Sequence, residues 1–281
     1  MELRYKRAGL IVKPHHDVKS YLEQSISILS EYGVEVVLEK IAADLVQKKS
    51  DVAREKIAEC TDIVILIGGD GTFLSVAPHV VEKGIPVAGF NLGTLGFLTE
   101  LKKEMLSESL EKIFYQDLPV QERKLLEVDF QGDKYIALND VVASKGSIAR
   151  IIKLSLKIDG NDVAEVSGDG IIVSTPTGST AYSLSAGGPV ITPDVNGIVI
   201  TPICPHSLTF RPLVVPDRSR IKVQLLSKKA EVYVTIDGQT VIPMSLGEQF
   251  EAWLYHKRLK IIASPEINYF KLLSEKLNWG I

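Results

Sequence analysis

The chain changes texture near Leu118-Pro119, and that change restricts its fold more than any other feature. Before it, strand-like runs at Ala8–Val12, Val34–Leu38, Ile63–Ile67 and Ile85–Phe90 alternate with helix candidates at Val18–Tyr32, Val52–Cys60 and Leu74–Lys83. Strands joined through helices run parallel, so residues 1–120 predict an α/β domain. Pro78 fits a first helical turn, which places the start of the third helix around Ser75. After the change, strand follows strand with only turns between: Leu125–Phe130, Lys134–Ala143, Ile151–Ile158, Asp162–Val166 and Gly170–Val173. Then come Gly197–Thr201, Arg220–Leu226, Glu231–Ile236, Gln249–Tyr255 and Leu259–Ala263. Residues 121–264 therefore predict an all-β second domain of layered sheets. The tail, residues 265–281, carries a helical stretch at Asn268–Trp279 with Phe270, Leu273 and Leu277 on one face, expected to dock back on the first domain.

Composition removes several classes. A net charge of −3 offers no support for nonspecific nucleic-acid binding. No apolar run spans a bilayer, and MELRYKRAGLIVKP lacks the apolar stretch of a secretion signal, so a cytoplasmic protein with no membrane partner is expected. Cys60 and Cys204 sit in no metal-like spacing and the five His form no HxxxH or HxH pair. Two buried reduced thiols and no protein-held metal are the expectation.

The chemistry concentrates in glycine-rich loops. GGDGT at 68–72 follows an apolar strand, where backbone N–H groups and a helix start can face phosphate and Asp70 is held on a tight turn. It lacks the GK[ST] of a Walker loop and the GxGxxG of a dinucleotide fold. NLGTLGFL at 91–98 follows the next strand, and Phe97 is either a stacking face or a core aromatic. Asn139-Asp140 suits ribose hydroxyls or a strand-end turn, and Asp169 reads as a turn residue. Asp237-Gly238 reads as a hairpin turn beside an ambiguous Gln239. Ser167–Pro189, SGDGIIVSTPTGSTAYSLSAGGP, is the densest block: hydroxyls of Thr177, Ser179 and Thr180 and the start of a short helix would face an anionic or sugar-rich ligand, with Tyr182 on a base or phosphate.

In order and spacing, GGDGT, NLGTLGFL, Asn139-Asp140, the 167–189 block, PHSLTFRPLVVP at 205–216 and NYFKLLSEKLNWG at 268–280 resemble the bacterial branch of the NAD kinase family, from about residue 9 onward. The resemblance implies a Rossmann-like α/β domain and a β-rich domain with NAD in the cleft between them. It implies transfer of the γ-phosphoryl of ATP to the 2′-hydroxyl of the adenosine ribose, with Mg²⁺ arriving on ATP and a homodimer or homotetramer completing the site. Asp70 would accept the hydroxyl proton, while Gly68, Gly69, Gly71 and Thr72 cradle phosphates. Gly71, Phe97, Asn139, Asp140, Asp169, Thr177, Thr180, Ala181, Tyr182, Ser183, Leu184 and Ser185 would line the NAD site, with Arg150, Ser167 and Gln239 at its margin. The chain departs from the family pattern at Asp140, often Glu; at Pro78-His79, where many members carry Arg; and at Ser167, Arg in some. A lipid or small-alcohol kinase would share the GGDGT turn but needs an apolar acceptor pocket, which the polar TPTGSTAYS block argues against. A catalytically silent NAD-binding regulator would bind without turnover, and a dehydrogenase would need the missing GxGxxG turn.

Overall fold

A computed structural model describes residues 2–15, 17–93, 95–146, 151–207, 209–228 and 231–279. Two compact units emerge, Met1–Glu122 with Leu259–Ile281, and Arg123–Arg258.

The first unit opens with β1 (Arg7–Val12), α1 (Val18–Glu31), β2 (Glu35–Leu38), α2 (Lys40–Leu45), α3 (Ile57–Cys60) and β3 (Ile63–Gly68). It continues through α4 (Asp70–Val81), β4 (Val87–Asn91), β5 (Leu101–Lys102), α5 (Leu106–Tyr115) and β6 (Val120–Arg123). Its sheet runs β2-β1-β3-β4, each neighbouring pair parallel. β3 is buried along its whole length, as a strand of a covered parallel sheet must be. The chain leaves β1 toward one edge and returns at β3 toward the other. The carboxyl ends of β1 and β3 therefore flank a topological switch point, where open α/β sheets bind ligands.

Helix α4 starts at Asp70, five residues before the start that Pro78 suggests. Pro78 lies in the helix interior, where it removes one backbone hydrogen bond; buried Phe73, Val76, Ala77, Val80 and Val81 hold the helix on the sheet nonetheless. α5 is an amphipathic helix that the strand-and-helix reading above does not include; Leu106, Leu110, Ile113 and Phe114 are its buried face. Behind the sheet edge lies a buried ion pair. Arg54 grips Glu39 through two N–H···O bonds of 2.8 and 2.9 Å and reaches Ser75 Oγ at 2.7 Å, while Glu39 also accepts the Val12 N–H at 3.1 Å. Ser75 Oγ in turn donates to the Thr72 carbonyl at 2.7 Å, so this network braces the first turn of α4.

The second unit contains β7 (Leu126–Phe130), β8 (Asp133–Ala137), β9 (Asp140–Lys145), β10 (Ile152–Ile158), β11 (Asn161–Gly168) and β12 (Gly170–Ser174). A short α6 (Tyr182–Ser185) precedes β13 (Gly197–Ile203), β14 (Leu213–Pro216), β15 (Ile221–Leu225), β16 (Val232–Ile236), β17 (Thr240–Met244) and β18 (Gln249–Leu254). These form two six-stranded sheets, β11-β10-β15-β18-β7-β8 and β14-β13-β12-β9-β16-β17. Alternate residues of both, among them Leu154, Val223, Phe250, Val141, Ile171 and Val234, meet in one core. The run Lys134–Ala143, read above as one strand, is β8 and β9 in different sheets, and the chain crosses between layers at Leu138-Asn139.

The chain then returns to the first unit as β19 (Leu259–Ile262) and α7 (Tyr269–Leu277). The strand at 259–263, assigned from sequence to the second domain, instead pairs in parallel with β4. α7 is capped by Asn268, whose side chain accepts the N–H groups of Phe270 and Lys271. It buries Leu272 and Leu273, leaving Phe270 mostly exposed, which corrects the face expected from spacing. Cys204 is exposed and Cys60 half-buried, so neither is the core thiol expected. Arg54→Met leaves the Glu39 charge buried without its partner and is expected to cost about 3–5 kcal/mol in urea unfolding, against a smaller loss for the Glu39→Gln/Arg54→Met double variant.

Candidate active site

At the switch point a cleft of about 370 Å³ opens over the Gly68-Gly69-Asp70 turn. Lys13 and His15 line it from the end of β1, Asn91 to Gly93 and Gly96 from the loop after β4, and Lys276 from α7. Glycine at 69 and 71 is required by neither packing nor a left-handed backbone, since a Cβ at either would meet nothing within 4 Å. Both leave open space beside the start of α4, whose N-cap residue is Gly69.

Asp70 is the knot of this region. Its Oδ1 accepts the backbone N–H groups of Leu98 and Thr99, each at 3.1 Å, and the Thr99 hydroxyl at 3.0 Å. Among the described residues its Oδ2 accepts the Phe97 N–H alone, at 2.9 Å, which leaves capacity for one further donor. Gly96 makes this possible: a Cβ there would lie 2.0 Å from Asp70 Oδ1. Asn91 stiffens the same loop, donating to Thr99 Oγ1 at 2.8 Å and accepting the Gly93 N–H at 2.7 Å. Phe97 is half-buried with its ring 6.3 Å from that of Tyr269 on α7, so it is neither a closed core residue nor a free face.

The second unit carries a cleft of about 330 Å³ on the outer face of β9 and β16. Asp140, Val142 and Ser144 alternate along β9 toward it, Thr235 stands beside Val142, and Tyr182 and Ala181 border it. Asn139 and Asp140 are fixed by Asp237. The Asp237 carboxylate accepts the N–H groups of Leu138, Asn139 and Asp140 at 2.7, 2.7 and 3.0 Å, where the chain crosses between sheets. Asp237 and Gly238 are indeed a hairpin turn, both with positive φ, but the turn also delivers this carboxylate. Burial, aided by the Asp237 charge, pushes the Asp140 carboxyl up to about 7. Burial raises Asp237 to about 6 against the pull of its three N–H donors.

The hydroxyl-rich block is used largely on itself. Thr175 Oγ1 donates to the Leu138 carbonyl at 2.6 Å and accepts the Gly178 N–H at 3.0 Å. Ser179, expected to face ligand, is fully buried, with its hydroxyl bonded to the Pro176 carbonyl and to both the N–H and carbonyl of Ile191. Ser183 is buried against the Thr201 hydroxyl at 2.8 Å. Thr177 is nearly buried, and Thr180 Oγ1 donates to the Thr177 carbonyl at 3.2 Å. Where the sequence suggests the start of one short helix, the block forms a 3₁₀ turn, Thr177–Thr180, followed by α6. Tyr182 is 46% exposed and Ser185 exposed, while Leu184 is half-buried. Gly178 is required where it is, because a Cβ would sit 2.2 Å from the Asn139 carbonyl oxygen.

Asp169 lies where β11 turns into β12, its carboxylate paired with Lys145 at 2.8 Å. Antiparallel pairing sets Asp140 opposite Ser174 and Ser144 opposite Gly170, so Asp169 and Asp140 belong to opposite ends of the β9–β12 pair. Ser167, half-buried near the end of β11, and Gln239, exposed on the hairpin turn, border neither of the two clefts. Arg150 falls outside the described residues. Sequence reasoning gave no role to Lys13, His15 or Lys276; Lys276 stands within the 268–280 segment, and the three meet only through the sheet order and the returning tail.

Two domain models match the chain: ATP-NAD kinase N-terminal domain over residues 8–118 and ATP-NAD kinase C-terminal domain over residues 138–264. The chain belongs to the NAD kinase family. Among relatives, the NAD kinase of Syntrophotalea carbinolica is 39% identical over 98% of this chain and 99% of its own. That of Koribacter versatilis is 42% identical over 90% of each. Among solved structures, yeast NADH kinase complexed with NADH superposes with a TM-score of 0.87 at 28% identity, covering 98% of this chain and 88% of that one. An NAD kinase from Archaeoglobus fulgidus in complex with ATP gives 0.75 at 26% identity, covering 97% and 98%.

The raised Asp140 carboxyl has a linkage consequence. Between the ordinary value near 3.8 and about 7, the folded protein holds a proton that the unfolded chain has released, so stability falls as pH rises through that window. Asp140→Asn is expected to remove its share of this decline, roughly a few kcal/mol, in urea unfolding followed from about pH 4 to about pH 8, leaving the smaller share of Asp237.

Proposed function

We infer that the protein phosphorylates NAD, moving the γ-phosphoryl of ATP onto the 2′-hydroxyl of the adenosine ribose to give NADP. The observation that carries this beyond family membership is Asp70 Oδ2, which has room for one more donor at the lip of a glycine-floored cleft. A ribose hydroxyl bonded there has its oxygen oriented by a carboxylate that four loop donors hold in place. As the bond from that oxygen to the γ-phosphorus forms and the bond from phosphorus to the β-bridging oxygen breaks, the hydroxyl proton passes to Oδ2. Phosphoryl transfer needs little covalent help, so fixing these oxygens in line is the main contribution of the fold.

On the second unit, Asn139, Asp140 and Tyr182 present an amide, a carboxyl and an aromatic hydroxyl to a polar ligand such as a ribose or the carboxamide of nicotinamide. With its carboxyl raised to about 7, Asp140 can donate as well as accept near neutral pH. Thr177, Thr180, Ala181, Ser185 and the buried Ser183 then shape the block around Tyr182, some of them through hydroxyl bonds, while Asp169 is paired with Lys145 at the far end of the β9–β12 pair. Mg²⁺ enters as part of the Mg-ATP substrate. The first cleft brings the Asn91 amide and the Lys13 and Lys276 ammonium groups beside the Asp70 carboxylate. A cytoplasmic setting, where NAD and ATP coexist, and self-association as a dimer or tetramer complete this reading.

Purified protein supplied with Mg-ATP and NAD is expected to form NADP. Asp70→Asn should lower kcat by about 10²–10⁴-fold. Gly96→Ala, which forces the Asp70 carboxylate out of its place, should lower kcat while leaving the fold intact by circular dichroism. Absence of NADP from folded, NAD-binding parent protein would overturn the kinase reading.

A further inference from the structure

Nothing in the motifs says what neutralises a donor triphosphate, which brings several negative charges to the cleft. The GGDGT turn supplies backbone N–H groups and a helix start, but its one ionisable side chain is a carboxylate. The balance comes from elsewhere. Lys13 and His15 follow β1 and Lys276 sits in the last turn of α7, and all three line the cleft over Gly68-Gly69-Asp70. The three are exposed, and Lys13 and Lys276 form no ion pair with a described residue, so their charges are not spent within the unit. The Asp70 carboxylate, by contrast, is bound by four donors of its own loop. The open space beside Gly69 and Gly71 lets an anion approach the backbone closely.

Resting on the kinase reading above, we propose that Lys13 and Lys276 form the cationic rim that holds the polyphosphate chain of the donor over the Gly68-Gly69-Asp70 turn, beside the His15 imidazole, with Lys276 delivered by the C-terminal helix. Lysine suits this task as a mobile point charge that follows phosphate oxygens without imposing a bidentate geometry. The arrangement gives the tail a chemical role. β19 joins the sheet beside β4, Asn268 caps α7, and the helix then runs to Lys276 at the cleft.

Initial rates as a function of Mg-ATP at saturating NAD, and the reverse, separate this from a structural effect. Lys13→Met and Lys276→Met should each raise KM for Mg-ATP by about tenfold or more while KM for NAD stays within about twofold. Lys276→Arg should restore most of the loss. Lys271→Ala, on the same helix but away from this cleft, should match the parent. Calorimetric titration with inorganic tripolyphosphate provides a readout independent of turnover and should show the same ranking. An unchanged KM for Mg-ATP and unchanged tripolyphosphate binding in both Met variants, in a parent that makes NADP, would overturn the rim and leave the kinase reading standing. A parent that binds tripolyphosphate through these lysines but makes no NADP would support the rim and defeat the kinase reading.

Discussion

The carboxylate of Asp70 is the tie on which the first unit's site depends. It stands at the first residue of α4, directly after β3, and gathers Phe97, Leu98 and Thr99 from the loop that follows β4. One side chain thus joins two successive βα loops at the switch point. Three features make the tie possible: a strand that ends at Gly68, a glycine at 96 that leaves room for the oxygen, and the Glu39–Arg54–Ser75 network that braces the first turn of α4. The load on the two oxygens is unequal: Oδ1 accepts three donors of the loop, and among the described residues Oδ2 accepts one.

The second unit solves a similar problem by different means. Its polar pocket is built where the chain crosses from one sheet to the other, a place where backbone N–H groups have no ladder partner. Asp237 supplies that partner from a hairpin turn, and the hydroxyls of Ser174, Thr175 and Ser179 close the adjoining loop from the other side. The cost is a pair of carboxyls in a dry place, and the upward shifts of Asp140 and Asp237 record it. The same bonds fix Asn139 and Asp140 at the edge of the cleft.

Much of this is legible in the chain. Alternation of apolar runs with helical segments marks the parallel sheet, and the dense strands after Pro119 mark the layered one, because periodicity reports which faces are buried. What a strand pairs with is a different matter. Leu259–Ile262 has ordinary strand composition, and only the completed fold shows that it joins the parallel sheet beside β4. The 134–143 run hides a change of sheet because Leu138 is apolar and buried on either reading. In the Thr175–Ser185 block the residue types point to polar bonding, but they do not distinguish a hydroxyl that faces a ligand from one that closes its own loop. Ser179 and Ser183 do the latter. Lys13 and Lys276 are single exposed lysines in sequence and gain meaning only from the sheet order and the path of the tail.

The claim that Asp70 organises the loop before any ligand arrives is tested most directly by residue-resolved amide hydrogen exchange in the ligand-free protein. The amides of Phe97, Leu98 and Thr99 should be protected in the parent and lose protection together in Asp70→Asn, while those of β3 and β4 keep theirs. Equal exchange of the three amides in both proteins would contradict the account.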